Sequence, residues 1–484
     1  MGAFPKLPMF AGVNAPSRIE AEVLDLDIVG TIPPEIEGAF YRVAADHQFP
    51  PRFENDVPFN ADGMVSMFRI KGGRVDMKSR YVRTDRFLAE RKAGRALFGR
   101  YRNRLTDDPS VAGVNRNLAN TNVILHAGVL LALREDSPPV AMDPVTLETI
   151  GNWDFHGTLP GPTCSAHCRI DPDTGNLVGF GFSAKGEWSR DVVYFEVNPE
   201  GRVIHQAWFE LPYFAEQHDF GVTRNFVTFP VVPIMGVGDE GLEAGHPYYA
   251  WDPARETYMA VLPRFGEGKD IRWFKGPNQF VSHIMNAYDE GSQVHLDCCR
   301  SSINLFPFFH TVGEQWTPKG MDVRLTRWTA DLAGSGDTFE SSTLSEFMGE
   351  FPRNDDRYQT KPYRHGWMLG FFGTRNALAH VDLETGVTES WEAPPEKPVQ
   401  EPCFIPRSAD SADGDGWIIQ AATDSTTMLT ELNLFEATDI AKGPIATIKL
   451  PFRMKPAYHG SWADGALVRP SGLVARDEEV QLAC

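Results

Sequence analysis

Four of the 13 histidines stand in settings that favour metal ligation: Ser165-Ala166-His167, Gln217-His218-Asp219-Phe220-Gly221, Val281-Ser282-His283 and Tyr458-His459-Gly460. Each lies near a likely strand end, so ligands carried by separate strands could converge on one point. An all-imidazole set suits iron, zinc or copper better than magnesium or calcium, which take oxygen ligands. Spacing alone leaves a second reading open, in which each is an ordinary hydrogen-bonded histidine. That reading is given to His47, His126, His156, His205, His246, His295, His310, His365 and His380. Cys164 and Cys168 flank His167 and invite zinc, but no second Cys or His pair follows at structural-zinc spacing. The chain carries no G-x-S-x-G, no H-E-x-x-H, no phosphate loop and no convincing dinucleotide fingerprint.

The elements that must position these histidines are mainly strands. Short runs rich in β-branched and aromatic residues recur from end to end, punctuated by Gly, Asn, Asp and Pro. Val65–Ile70 before Lys71-Gly72-Gly73, Asn176–Phe182 after Asp173-Thr174-Gly175, and Val192–Val197 before Asn198-Pro199-Glu200-Gly201 are hairpin signals. A loose phrase of apolar strand, acidic turn and second strand recurs in VAMDPVTLETIGNWDF, VVYFEVNPEGRVIHQAWFEL, YYAWDPARETYMAVLP and ALAHVDLETGVTESWEA, as propeller blades would. Its period is irregular, which leaves a sandwich-containing multidomain chain as the alternative. Insertions are expected at about 86–118, 232–247 and 334–366. Arg86–Leu105 has helical character and would cap one face, and the residues after Gly472 read as a frayed or docking tail.

At 484 residues the chain needs several domains or one large closed architecture. Lys plus Arg total 46 against 65 for Asp plus Glu, and the formal charge of −19 argues against a nucleic-acid or anionic-membrane surface. Cys164, Cys168, Cys298, Cys299, Cys403 and Cys484 form no regular disulfide framework, so a reducing, cytoplasmic setting is expected. The first residues, MGAFPKLPMFAGVNAPSR, lack the apolar run of a signal peptide and the Ser or Thr of a myristoylation signal. No window approaches the roughly 20 apolar residues that span a bilayer.

Seven ordered stretches carry a resemblance: Phe59–Met64, Leu118–Val123, Ala166–Pro172, His218–Thr223, Phe280–Tyr288, Glu350–Arg353 and Glu401–Arg407. Over nearly its whole length the sequence resembles the carotenoid cleavage oxygenases, and within them the bacterial lignostilbene-cleaving branch. The resemblance implies an all-β, seven-bladed propeller as a single domain, with a loop and helix cap over the iron-bearing face. It implies one Fe(II) per chain on the propeller axis, bound by histidines matching His167, His218, His283 and His459. Three family glutamates match Glu135, Glu350 and Glu401, where a carboxylate accepting the distal imidazole N–H would fix the ring and raise its basicity. Pairing of Glu350 and Glu401 with Arg353 and Arg407 is the structural alternative. Thr121 resembles the residue beside an open metal position in the family.

The activity implied is cleavage by O2 of the interphenyl double bond of 4-hydroxystilbenes to two aromatic aldehydes, lignostilbene giving vanillin. Polarising the phenol would push electron density onto the alkene. Tyr101 matches the phenol-contacting tyrosine of this branch. A lysine commonly partners it just before the first glutamate, but Leu131-Ala132-Leu133-Arg134-Glu135 carries Arg134 there. A guanidinium cannot act as a base but can stabilise a phenolate or pair with a carboxylated substrate, and a salt bridge to Glu135 or Asp136 is its structural alternative. Phe59, Phe306, Phe308 and Phe309 are candidate walls for flat rings; the run Leu305–Phe309 could instead dip into a membrane. The partners expected are O2 and a small aromatic stilbene, with neither nucleic acid nor membrane, and the family allows a homodimer. A carotenoid or apocarotenoid oxygenase is the nearest rival, and a metal-free propeller binding module the rival from another class.

Overall fold

Asp62–Lys71 and Arg74–Tyr81 form a hairpin whose two turn residues, Gly72 and Gly73, both adopt positive φ. Glycine is at home there, and such turns match the right-handed twist of paired strands. The computed structural model describes residues 3–313, 317, 320–370 and 375–476. Among these residues, seven antiparallel units repeat the pattern around a common axis, giving the seven-bladed propeller that the resemblance implied.

From the axis outwards, the first blade is His459–Asp464, Gly38–Asp46, Asp62–Lys71, Arg74–Tyr81 and Ala21–Val23. The second runs from Asn122–His126 to Thr149–Asn152, the third from Arg169–Ile170 to Val203–Glu210, and the fourth from Gly221–Val222 to Arg272–Gly276. The fifth starts at Phe280–Glu290 and shares the strand Glu340–Asn354 with the sixth, which ends at Val387–Glu392. The seventh runs from Cys403–Pro406 to Ala446–Lys449, with Asp27–Gly30 added outside. The ring is therefore closed twice, because the first and last blades each mix strands from both ends of the chain.

Strand alternation builds the core between blades. On one strand Phe40 faces the seventh blade with Trp417 and Leu434, while Tyr41 faces the second with Leu130 and Val140. Leu131, next to Leu130, points to the third blade with Leu177 and Phe195. The middle strands of each blade are buried on both faces and read as nearly continuous apolar runs, while outer strands such as Val203–Glu210 and Val387–Glu392 are partly exposed.

Three sequence expectations change in detail. Helix α1 spans Asp85–Ala93 only, because Gly94 at φ 66° caps it, so the helix expected to Leu105 gives way to turns. Residues 334–366 are not a cap insertion: they contain the 15-residue strand Glu340–Asn354. In YYAWDPARETYMAVLP, Tyr249–Trp251 pairs with Ile234–Gly236 beside the propeller, and only Thr257–Pro263 enters a blade. The other three phrases are the two outer strands of a blade. The tail after Arg476, including Cys484, lies outside the described residues.

Candidate metal centre and aromatic cavity

The four histidines reach the axis from four blades. His459 opens the innermost strand of the first blade, His167 lies two residues before that of the third, His218 three before that of the fourth, and His283 within that of the fifth. His218 Nε2 lies 3.1 Å from His167 Nε2 and 3.2 Å from His283 Nε2, and one ring nitrogen from each of the four falls within 4.8 Å of the others. Imidazole nitrogens roughly 2.1 Å from a shared ion, at right angles, stand about 3.0 Å apart, so the spacing fits a common metal.

Three of the four imidazoles present their other nitrogen to a glutamate. His283 Nδ1 lies 2.6 Å from Glu350, His459 Nδ1 2.8 Å from Glu401 and His218 Nδ1 3.2 Å from Glu135. Nδ1 donating to a carboxylate leaves the Nε2 lone pair free for a metal. Backbone detail aims these groups. Phe351 adopts φ 53° at an irregularity in its strand, which lets its N–H reach Glu350 and its ring stack 5.1 Å from His283. Gly460 donates its N–H to Glu401 at 3.0 Å and accepts from Arg353, and a Cβ there would meet the Tyr41 carbonyl oxygen at 2.4 Å. His-Gly is thus a packing requirement as well as a motif. Arg353 lies 3.6 Å from Glu401, whereas Arg407 pairs with Asp415 and Glu436.

Two acidic residues near the cluster had no role assigned from sequence. Asp219 accepts from Ile284 N–H at 2.7 Å, from Arg169 at 2.9 Å and from Phe220 N–H, tying the third, fourth and fifth blades together; His167 Nδ1 is 3.9 Å away. Glu216 joins Glu135 and His218 in a second group close enough to share an ion. Their signal was adjacency, since both stand within two residues of His218. Burial, then Glu135, pushes Glu216 up to about 7. Burial would lower His218, but Glu135 and Glu216 reverse this and raise it to about 9. The carboxylates thus draw positive charge to the cluster, a proton or, in its place, a divalent cation. Burial, followed by the neighbouring imidazoles, keeps His167 well below the usual histidine range, as a neutral donor.

A cavity of about 710 Å³ opens on the side of the cluster bordered by His218, His283 and His459. Its walls include Phe59, Phe306, Phe308, Thr121 and Tyr101. Phe59 packs edge-on against Tyr101 and Phe308, with ring centres 5.1 and 5.2 Å away, while Phe306 stacks on Phe308. Asn120 holds the Phe59 and Ala61 carbonyls at 2.8 and 2.6 Å, so two of the matching sequence stretches clamp each other. Leu305 and Phe309 are buried, Phe306 and Phe308 line the cavity half-buried, and Pro307 is exposed, so the aromatic side chains of this run serve the cavity.

Tyr101 is 5% exposed, and its hydroxyl makes no hydrogen bond to the described residues. Burial keeps its phenol well above the usual tyrosine range, and therefore neutral. Arg134, expected at the substrate, is not part of the cavity wall: it pairs with Asp136 at 2.8 Å and lies 5.4 Å from the Tyr101 ring centre. Arg102, not singled out from sequence, lies beside the same ring and contacts Glu135, Asp136 and Tyr249. Two guanidiniums and two carboxylates balance behind Tyr101, which explains how Arg134 can be buried there.

Residues 14–464 match the family described as RPE65, retinal pigment epithelial membrane protein. The chain belongs to this family, that of the carotenoid oxygenases. It is 44% identical to lignostilbene-alpha,beta-dioxygenase isozyme III of Sphingomonas paucimobilis, over 96% of this chain and 99% of that one. It is 40% identical to isoeugenol monooxygenase of Pseudomonas nitroreducens, over 94% and 98%. The crystal structure of Pseudomonas brassicacearum lignostilbene dioxygenase superposes with a TM-score of 0.93 at 44% identity, covering 96% of this chain and all of that one. No helix among the described residues is long and apolar enough to cross a membrane.

Proposed function

We propose that this chain is an iron(II)-dependent oxygenase that splits the interphenyl double bond of 4-hydroxystilbenes of the lignostilbene type. One alkene and one O2 give two aromatic aldehydes, with vanillin as the product from lignostilbene. The observation that carries the reading is the juxtaposition of a four-imidazole cluster with an aromatic-walled cavity bearing an unpartnered tyrosine hydroxyl. Relatives named for lignostilbene and isoeugenol, both 4-hydroxyphenyl alkenes, support it.

Ferrous iron held by His167, His218, His283 and His459 would supply the redox centre at which O2 and the alkene meet. Glu135, Glu350 and Glu401 keep three imidazoles in the metal-binding tautomer and orientation. Tyr101, neutral at physiological pH, hydrogen-bonds the substrate phenol oxygen and favours charge on it, sending electron density through the ring to the alkene. Arg102 and Arg134 act through Tyr101 by fixing its ring. Phe59, Phe306 and Phe308 align the flat substrate and exclude water. Thr121, in the same wall, would narrow the approach of solvent and O2 to a metal held by the four imidazoles.

The test is an oxygen-electrode assay of the full chain loaded anaerobically with Fe(II). It uses a 4-hydroxystilbene, its 4-methoxy analogue, isoeugenol and an apocarotenal. O2 uptake equal to half the aldehyde formed, with the free phenol only, and 18O in both aldehydes support the reading. Turnover of isoeugenol alone moves the substrate class to phenylpropenes, turnover of the apocarotenal moves it to polyenes, and no uptake with any substrate overturns it.

A further inference from the structure

A second cavity of about 400 Å³ lies on the other side of the histidine cluster, along the propeller axis. His283 and His459 border both spaces, His167 borders only the axial one and His218 only the aromatic one. The cluster is therefore a partition between two chambers of unlike chemistry. The aromatic chamber is walled mainly by apolar side chains, with Phe59, Phe280, Phe306 and Phe308 among them. The axial one mixes apolar side chains such as Ile124, Ile170 and Met285 with a larger share of polar groups than its neighbour, including Asn122, Asn354 and Gln359, and it runs out to the exposed Asp356, Asp464 and Leu467.

We propose that this axial channel is the route by which the divalent metal reaches and leaves the cluster, separate from the route of the aromatic substrate. In the aromatic chamber the carboxylates Glu135, Glu216 and Asp219 stand beside the cluster, and a hydrated dication would first have to pass Phe59, Phe280, Phe306 and Phe308, which replace none of its water, at a large desolvation cost. Along the axis it meets oxygen. Four carboxylates border the channel (Asp219, Asp356, Glu401 and Asp464) against three guanidiniums. Each guanidinium is already engaged: Arg169 with Asp219, Arg353 with the Gly460 carbonyl and near Glu401, and Arg357 with Asp355 and the Ser408, Ala409 and Ser411 carbonyls. The exposed carboxylates at the mouth place negative charge where a cation would enter. The inference rests on the four imidazoles binding a divalent metal and not on which alkene is cleaved.

The experiment follows Co(II) binding to the metal-stripped full-length chain by its visible absorption in stopped flow, without substrate or O2. Release is followed with excess chelator. Leu467→Trp, at an exposed position, narrows the mouth; it should slow uptake and release by a similar factor, about tenfold, and leave affinity unchanged, because an obstacle on a path alters both directions equally. Asp356→Lys with Asp464→Lys should slow uptake about tenfold at low ionic strength, with the effect vanishing near 1 M salt. Phe308→Trp, in the aromatic cavity, should leave uptake unchanged. Slowing by Phe308→Trp but not by the mouth variants, or unchanged rates in all three, overturns the route. Failure of the wild-type chain to bind cobalt at all removes the metal centre itself, an outcome distinct from failure of the stilbene reading.

Discussion

The histidine cluster and the aromatic wall meet in one cavity but are made of different material. The imidazoles, Glu350 and Glu401 sit on innermost strands or within a few residues of them, and Glu135 just past the second strand of its blade, all held between the packed inner strands of neighbouring blades. Tyr101, Phe306 and Phe308 lie on connections between strands, held mainly by ring packing. The division teaches that the reacting centre is built into the closed architecture, while the choice of alkene is delegated to segments that can vary without disturbing it.

The sharpest test of this division is His283→Ala, which removes a ring shared by both chambers. Metal content by mass spectrometry should fall well below one per chain, and aldehyde formation should drop more than about 1,000-fold. Glu350→Gln comes next, with a loss of about 10- to 100-fold in metal affinity, measured by chelator competition. Glu135→Gln should cost less, because its contact with His218 is longer and Arg102 shares the carboxylate. On the other side, Tyr101→Phe should lower kcat/KM for a 4-hydroxystilbene about tenfold, the loss of one hydrogen bond to a charged oxygen, with full metal content. Phe308→Ala should change KM a few-fold and reorder stilbenes of different ring substitution; a fall in its metal content would break the division. Arg134→Lys should have the smallest effect, about twofold or less, with substrate order unchanged, because the guanidinium lies behind Tyr101 and outside the cavity wall.

The all-β class, four convergent histidines and three glutamates were legible in the sequence because strand alternation, turn chemistry and ordered motifs each leave local marks. The seven blades were legible through the resemblance but not through the repeating phrase, since one strand, Glu340–Asn354, serves two blades and carries Glu350 across what reads as an insertion. For Arg134 the sequence left contact with substrate and a salt bridge to Asp136 both open, for a related reason. Its neighbours in sequence are known, but its orientation is set by Asp136 and by Arg102 from a distant segment, and no periodicity reports which way a side chain leaves a strand end. Asp219 and Glu216 stood in plain view beside His218, yet only the folded chain reveals that one joins three blades and the other shares a charge with Glu135.

The double closure of the ring also sets a timetable. His459 belongs to the strand that pairs with Gly38–Asp46, more than four hundred residues upstream, so the fourth imidazole is delivered by the same event that seals the first blade. During synthesis the cluster stays incomplete until the chain has emerged past His459, and such distant pairing is slow by nature. A chain truncated before His459 would lose its circular integrity and its capacity to hold a metal together, so the ring reports its own completion through the ion at its hub.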